Sequence, residues 1–308
     1  MWFKQFQLFQ LTTPVNSSAS VLNGKLEPFR FSPCLPSMAS SMGWVSPIED
    51  EEGAPLTRGI NGCIMVCLQT EEKILPGSVV TKHLKDKIKQ IELAEGRRVR
   101  QKEKLSFKDE LIHTLLTQAF TKFNRLYGFI DTRHNRLIIN TTSPKKIEAF
   151  IMMLKKAIGE GIGSFEVVKP SAVMTQWLKT QDYPSNFSIE RTCVLQDPNE
   201  QHRIIRCQQQ DLFAESIQTL VKDGCEAVQM GLCWQDRINF VLSEDFSMRS
   251  VGYTDDDIAE IKDELETKQQ KFDADFIMMI ESLTELLNEL LSIFVKQNEP
   301  VAPRFAAA

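Results

Sequence analysis

Lysine and arginine are concentrated in one short stretch of this sequence. Between Lys82 and Lys108 there are ten of them against four acids, a local net charge of +6 in a 308-residue chain whose formal total is −5. Lys82, Lys85, Lys89, Arg97, Arg98, Arg100, Lys102 and Lys104 carry most of that charge. Such a cluster can neutralise a polyanion, because each cation placed on a phosphate displaces a condensed counterion. Residues 244–299 hold fifteen acids and five bases, a net −10, so a phosphate backbone would meet the first region and avoid the second. Two other readings stand beside this one. The basic run could be a solvated helix face, and the acidic C-terminal helices could dock a protein partner, which would make the chain a non-enzymatic interaction scaffold.

Covalent and metal chemistry find less to work with. A metal-dependent nuclease needs two or three carboxylates converging on one ion. Asp273 and Asp275 lie two apart in a helical pattern and so do not face each other, while Asp255-Asp256-Asp257 reads as a helix N-terminus, where the dipole favours negative charge. The four histidines, 83, 113, 134 and 202, share no motif. Gly159, Gly161 and Gly163 follow a helical pattern and precede a strand-like one, the reverse of a nucleotide cradle, and read as a turn. No GxxxxGKS/T loop or nucleophile elbow occurs. Seven cysteines, at 34, 63, 67, 193, 207, 225 and 233, are an odd count without CxxC spacing, which points to reduced thiols in a cytosol. The expectation is no catalytic residue, no metal and no cofactor.

The elements that would position the cations follow from periodicity. Val80, Leu84, Ile88 and Ile91 recur as one stripe of a helix over 79–94, with Lys82, Lys85 and Lys89 on a neighbouring face and Lys87 off it. Glu95-Gly96 is a stop, Arg97 to Lys102 a connector, and Ser106 with Asp109 the capping start of a second helix. Leu111, Ile112, Leu115, Leu116, Ala119, Phe120 and Phe123 supply that helix's apolar face. A helical hairpin results, with its cations near the turn, and sixteen helical residues would carry them about 24 Å outward.

Around it the pattern is α+β, with mixed antiparallel sheets, packed helices and the basic hairpin projecting from them. Strands are expected at 2–11, 60–68, 129–132, 137–140, 165–168, 203–207, 227–233 and 237–242, and helices at 144–158, 171–179 and 213–222. Residues 12–36 read as a polar, Pro-punctuated connection, and Glu49 to Gly53 as an exposed acidic loop. The segment 255–297 reads as helical, and the stripe of Phe276, Met279, Ile280, Leu283, Leu286, Leu287, Leu290, Leu291, Ile293 and Phe294 requires burial, by default in the chain's own core. The domain reading is 1–75 plus 116–160 as a central α+β unit, 76–115 as the hairpin, 161–299 as a second α+β unit, and 300–308 as a disordered tail. No apolar segment reaches the roughly 20 residues of a membrane span, and the N-terminus lacks the pattern of an export signal.

With these residues assembled, the sequence resembles the RdgC family of bacterial recombination-associated proteins over about residues 1–295. The resemblance rests on Trp2-Phe3-Lys4, Phe31-Ser32-Pro33-Cys34, Met42-Gly43-Trp44-Val45, Glu71-Glu72-Lys73-Ile74-Leu75-Pro76, Phe129-Ile130-Asp131-Thr132 and Lys271-Phe272-Asp273-Ala274-Asp275-Phe276, in that order. It implies a cytoplasmic, nucleoid-associated protein that is not an enzyme. It implies non-specific binding of double-stranded DNA, with single strands as a second candidate, by a ring-shaped homodimer that restrains the strand-exchange recombinase. The Arg97, Arg98 and Arg100 region corresponds to the family's basic hairpin and ring lining, and Phe120 to an aromatic at the subunit contact. Gln208 and Gln209 stand where the family can carry lysines, so either that phosphate contact is weaker here or other cations, such as Lys122 and Arg125, take it over.

Overall fold

The computed structural model describes residues 2–13, 18–48, 53–200, 202–254 and 267–295. Twelve strands join in one antiparallel sheet. They are β1 (Phe6–Leu11), β2 (Ser40–Val45), β3 (Thr57–Ile60), β4 (Cys63–Lys73), β5 (Thr121–Asp131), β6 (Arg136–Ile139), β7 (Ile162–Gly163), β8 (Phe187–Gln196), β9 (Ile204–Gln208), β10 (Glu226–Trp234), β11 (Ile238–Ser243) and β12 (Ser247–Tyr253). Their order is β2-β4-β5-β6-β1-β12-β11-β10-β8-β9, with β3 on β4 and β7 on β1. The first strand holds the sheet together, since β1 pairs with β6 on one side and with β12 and β7 on the other.

Alternation along the strands sends apolar side chains to two faces, and each face has its own core. Phe6 and Leu8 of β1, Cys63 and Met65 of β4 and Phe129 of β5 join one cluster, whereas Phe9, Leu11, Ile64, Val66, Leu68 and Ile130 join the other. The first is covered by α5 (Pro170–Thr180), α6 (Glu215–Lys222) and α7 (Lys268–Phe294), the second by α1 (Ala19–Leu26) and α4 (Pro144–Ile158). The stripe on α7 is buried as expected, with nine residues from Phe276 to Phe294 enclosed and Ile293 partly so. Thr267 opens that helix: its hydroxyl accepts from the Gln270 amide at 3.2 Å, and the Gln270 side chain accepts from the Thr267 amide at 3.0 Å.

Two further helices, α2 (Gly77–Glu95) and α3 (Gln101–Gln118), are inserted between β4 and β5. The β4–β5 ladder runs unbroken from Cys63↔Asp131 to Lys73↔Thr121, so the insertion leaves and re-enters at adjacent strand ends. Below that point Ile74 N–H donates to Phe120 O at 2.7 Å. The two helices pack along each other: Lys87 pairs with Glu110 at 2.8 Å and its ammonium lies 4.7 Å from the centre of the Phe107 ring.

Several expectations change. The strand placed at 60–68 is two strands joined at Asn61-Gly62, both with positive φ, 47° and 73°. Asn-Gly between apolar runs is the signature of a two-residue hairpin turn. The connection read over 12–36 contains α1, whose Leu22 and Leu26 are fully buried. Residues 165–168 form no strand and contribute only the bridge Val167↔Val295. Strands β2, β7, β8 and β12 fall outside the expected strands, and β7 lies where a turn was expected. The second helix of the basic pair begins at Gln101, five residues before Ser106, and stops at Gln118, so Ala119, Phe120 and Phe123 are not on its face. Glu49 to Glu52, the stretch 255–266 with Asp255-Asp256-Asp257, and the tail from 296 lie outside the described residues.

Candidate nucleic-acid interface

The turn between α2 and α3 is organised by glutamates. Gly96 adopts the left-handed conformation, φ 64° and ψ 19°, and returns its N–H to Glu92 O at 3.0 Å. The Glu92 carboxylate accepts from the Val99 amide at 3.0 Å, and Val99 is buried beneath the turn. Glu103, in the first turn of α3, accepts from the Arg100 amide at 2.8 Å and satisfies one of the orphan donors of a helix start. This is why the helix starts early: Glu103, not Asp109, supplies the acid near its N-terminus.

Glu103 also holds Arg97. The guanidinium meets it in a two-pronged contact, 2.9 Å on each arm, while Arg97 Nε donates to Glu95 at 2.7 Å. Hydrogen bonds from Arg97, and then from the Arg100 amide, lower the Glu103 carboxyl to about 2, and those from Glu103 and Glu95 raise the Arg97 guanidinium. Arg97 is therefore already neutralised by its own chain. This pairing sets Arg97 apart from its neighbours in the turn.

The remaining cations of the turn differ. Arg98, Arg100, Lys102 and Lys104 form no salt bridge among the described residues, and Arg98, Arg100 and Lys102 are exposed. These three line one shallow concavity together with Arg97, Glu103 and Ser106. Lys104 is half-buried, in a row with Phe107, Leu111 and Leu115 that faces α2. On α2, Lys82, Lys85 and Lys89 are exposed on the side away from the half-buried Leu84, Ile88 and Ile91, whereas Lys87 is spent on Glu110. The cations thus run from the outer face of α2 to the turn, about 10 Å from Lys82 to Lys89.

Lys122 and Arg125 are elsewhere. Both are on β5, where the insertion returns to the sheet, and alternation puts them on opposite faces. Lys122 is exposed opposite Glu72, while Arg125 Nε donates to Gln69 Oε1 at 3.1 Å. The eighteen residues of α3 separate them from the turn by about 27 Å, so they cannot share a phosphate with Arg98 or Arg100. Phe120 lies next to them and is 86% exposed; it belongs to no core of its own chain. Gln208 and Gln209 sit at the end of the edge strand β9, both exposed.

A residue the sequence reading passed over anchors the arm. Lys73, the last residue of β4, donates from Nζ to Leu116 O in the final turn of α3 and to Pro36 O, each at 2.7 Å. A cation at that end satisfies an orphan carbonyl and opposes the helix dipole. Its signal was a lysine at the end of a strand pattern, three residues before the Pro76 that marks a helix start.

The carboxylates weighed as metal ligands are occupied by the fold. Asp273 is bound by the Arg58 guanidinium, and Asp275 accepts from Trp2 Nε1 at 2.9 Å. Among the described residues, no three His, Cys, Asp or Glu side chains gather to hold an ion, and no helix is long and apolar enough to cross a membrane.

Comparison with known proteins agrees with the family resemblance. A family model described as "Putative exonuclease, RdgC" matches residues 1–297. A protein of Yersinia enterocolitica serotype O:8 named "Recombination-associated protein RdgC" is 33% identical over 295 residues, covering 94% of this chain and 97% of its own length. Proteins of the same name from Yersinia pestis strain Pestoides F and Yersinia pseudotuberculosis strain IP 31758 are each 34% identical over 294 residues, with the same coverage.

Proposed function

The chain belongs to the RdgC family, whose curated relatives are named recombination-associated proteins, and from that premise we propose that it binds double-stranded DNA without sequence preference through the α2–α3 arm. The observation that carries the reading is the row of exposed cations with no ion pair among the described residues, Lys82, Lys85, Lys89, Arg98, Arg100 and Lys102, in a chain of net negative charge. Counterion release from phosphates supplies the free energy, and base edges add almost nothing. The same cations meet single strands more weakly, because phosphate charge there is less dense. Two copies enclose the duplex as a ring, with Phe120 of each at the contact, which suits an aromatic ring that its own chain leaves exposed. Occupying the duplex in this way restrains the strand-exchange recombinase by denying it DNA, and it places the protein at the nucleoid in the cytoplasm.

This activity is binding, not hydrolysis, although the family description contains the word exonuclease. Asp273 and Asp275, the acids nearest to a nuclease pair, are tied to Arg58 and Trp2 instead of converging on one point. The experiment is duplex binding by the parent and by a triple variant, Arg98→Glu, Arg100→Glu and Lys102→Glu. At low salt, affinity falls by about 100-fold or more for every sequence tested, since three phosphate contacts become repulsions. Unchanged affinity removes the turn from the interface. In the same incubations with Mg²⁺, supercoiled DNA stays un-nicked.

A further inference from the structure

Cys193 and Cys207 are directly opposite each other on the antiparallel strands β8 and β9. Directly opposed residues project from the same face of a sheet, and their Cα atoms are about 4.5 or 5.5 Å apart according to their place in the hydrogen-bond ladder. Both spacings fall inside the range of roughly 4.4–6.8 Å over which a disulfide closes. Among the described residues, no other two cysteines oppose each other in the strand registers: Cys63 faces Asp131 and Ile60, Cys67 faces Val45 and Tyr127, and Cys233 faces Asn239 and Ser188. Neither sulfur has a role in the proposed DNA contact, and both thiols are free.

We propose that Cys193 and Cys207 are a thiol–disulfide couple that, when oxidised by a small-molecule disulfide, clamps the edge strand β9 to β8. The position of β9 gives the chemistry a route. It is the last strand of the sheet, and its neighbours Ile204, Arg206 and Gln208 are exposed. An edge strand opens locally at lower free energy than the strands inside it. Cys193, one strand further in, is fully enclosed, and burial, with the Cys207 sulfur beside it, pushes its thiol up to about 12. Cys207 is itself only 2% exposed, but it is uncovered whenever the edge strand opens, so it is the first to react. Its thiol loses a proton, and the thiolate attacks one sulfur of the external disulfide, forming a mixed disulfide and expelling one thiolate, which takes up that proton. Cys193 then attacks the Cys207 sulfur, its own proton leaving with the second small thiol. Two protein thiols are oxidised by two electrons, and one external disulfide is reduced to two thiols.

The test is overnight incubation of the folded full-length chain with oxidised glutathione at mildly alkaline pH. Titratable thiols fall from the seven of the sequence to five, the intact mass drops by two hydrogens, and trypsin yields the peptide 192–203 joined to 207–222. Dithiothreitol restores all seven. Cys207→Ser, checked for native circular dichroism, shows no loss of two hydrogens. Seven thiols persisting, a glutathione adduct retained on either cysteine, a cross-link through another pair, or two hydrogens still lost by Cys207→Ser would each overturn the assignment.

Discussion

Helices α7 and the α2–α3 pair are both long and both rich in charge, yet they are held in different ways. Over 27 residues α7 buries nine apolar side chains, whereas α2 and α3, 37 residues together, bury only Val80 and Leu116. Both of those lie at the sheet end of the arm. The first helix exists because its stripe completes a core. The pair exists through its half-buried mutual face, the Lys87–Glu110 contact, the glutamate-bound turn and the Lys73 anchor. An element that buries so little of itself leaves most of its side chains exposed. The same contrast recurs within the turn, where Arg97 is consumed by Glu95 and Glu103 while Arg98 is not.

Leu283→Ala should show the largest effect of single changes made to test this contrast. It opens a cavity in a fully packed site and costs about 2–5 kcal/mol, to be read by urea denaturation. Leu93→Ala on the exposed side of α2 stays within about 0.5 kcal/mol of the parent. A comparable loss at Leu93 would mean that the arm has a core of its own.

Arg97→Gln and Arg98→Gln sharpen the comparison inside the turn. Arg98→Gln removes about one phosphate contact and reduces the log–log salt slope by about 0.9, while Arg97→Gln leaves the slope nearly unchanged. Equal effects would show that Arg97 leaves its glutamates when DNA arrives.

The smallest expected effect is the pH dependence of the turn. The folded Glu103 carboxyl lies near 2, below its ordinary value of 4.5. A depressed carboxylate contributes its stabilisation fully above the ordinary value and loses it as the pH falls through the folded one. Protection of the Arg100 amide against hydrogen exchange, corrected for the intrinsic rate, should therefore decline between about 4.5 and 2, and Glu103→Gln should remove that dependence.

Much of the fold was legible where a single period or stop signal dominates. The Ser143-Pro144 start, the Gly96 stop and the α7 stripe all appear as read. Legibility failed where two local signals competed. Asn61-Gly62 was hidden because only Ile60 of β3, on its N-terminal side, is apolar, and α1 was hidden in a Ser- and Pro-containing stretch because only Leu22 and Leu26 mark its buried side. The start of α3 was missed because Ser106-Asp109 resembles a cap, whereas Glu103 gains both a backbone amide and a guanidinium. The cations of the candidate site could be named from composition and helical spacing. Which of them are spent internally could not, since Arg97–Glu103 and Lys87–Glu110 depend on how the turn closes and how the two helices align.

The exposed arm cations, without an ion pair among the described residues, are proposed to neutralise phosphates. That proposal is tested most directly by titrating a random-sequence duplex with the chain at salt concentrations between about 50 and 200 mM. The expected result is a linear log–log plot with a slope near −0.9 per phosphate neutralised, about −4 to −6 for each copy of the arm in contact, with no dependence on base sequence. A flat plot, or no binding even at the lowest salt, would contradict it.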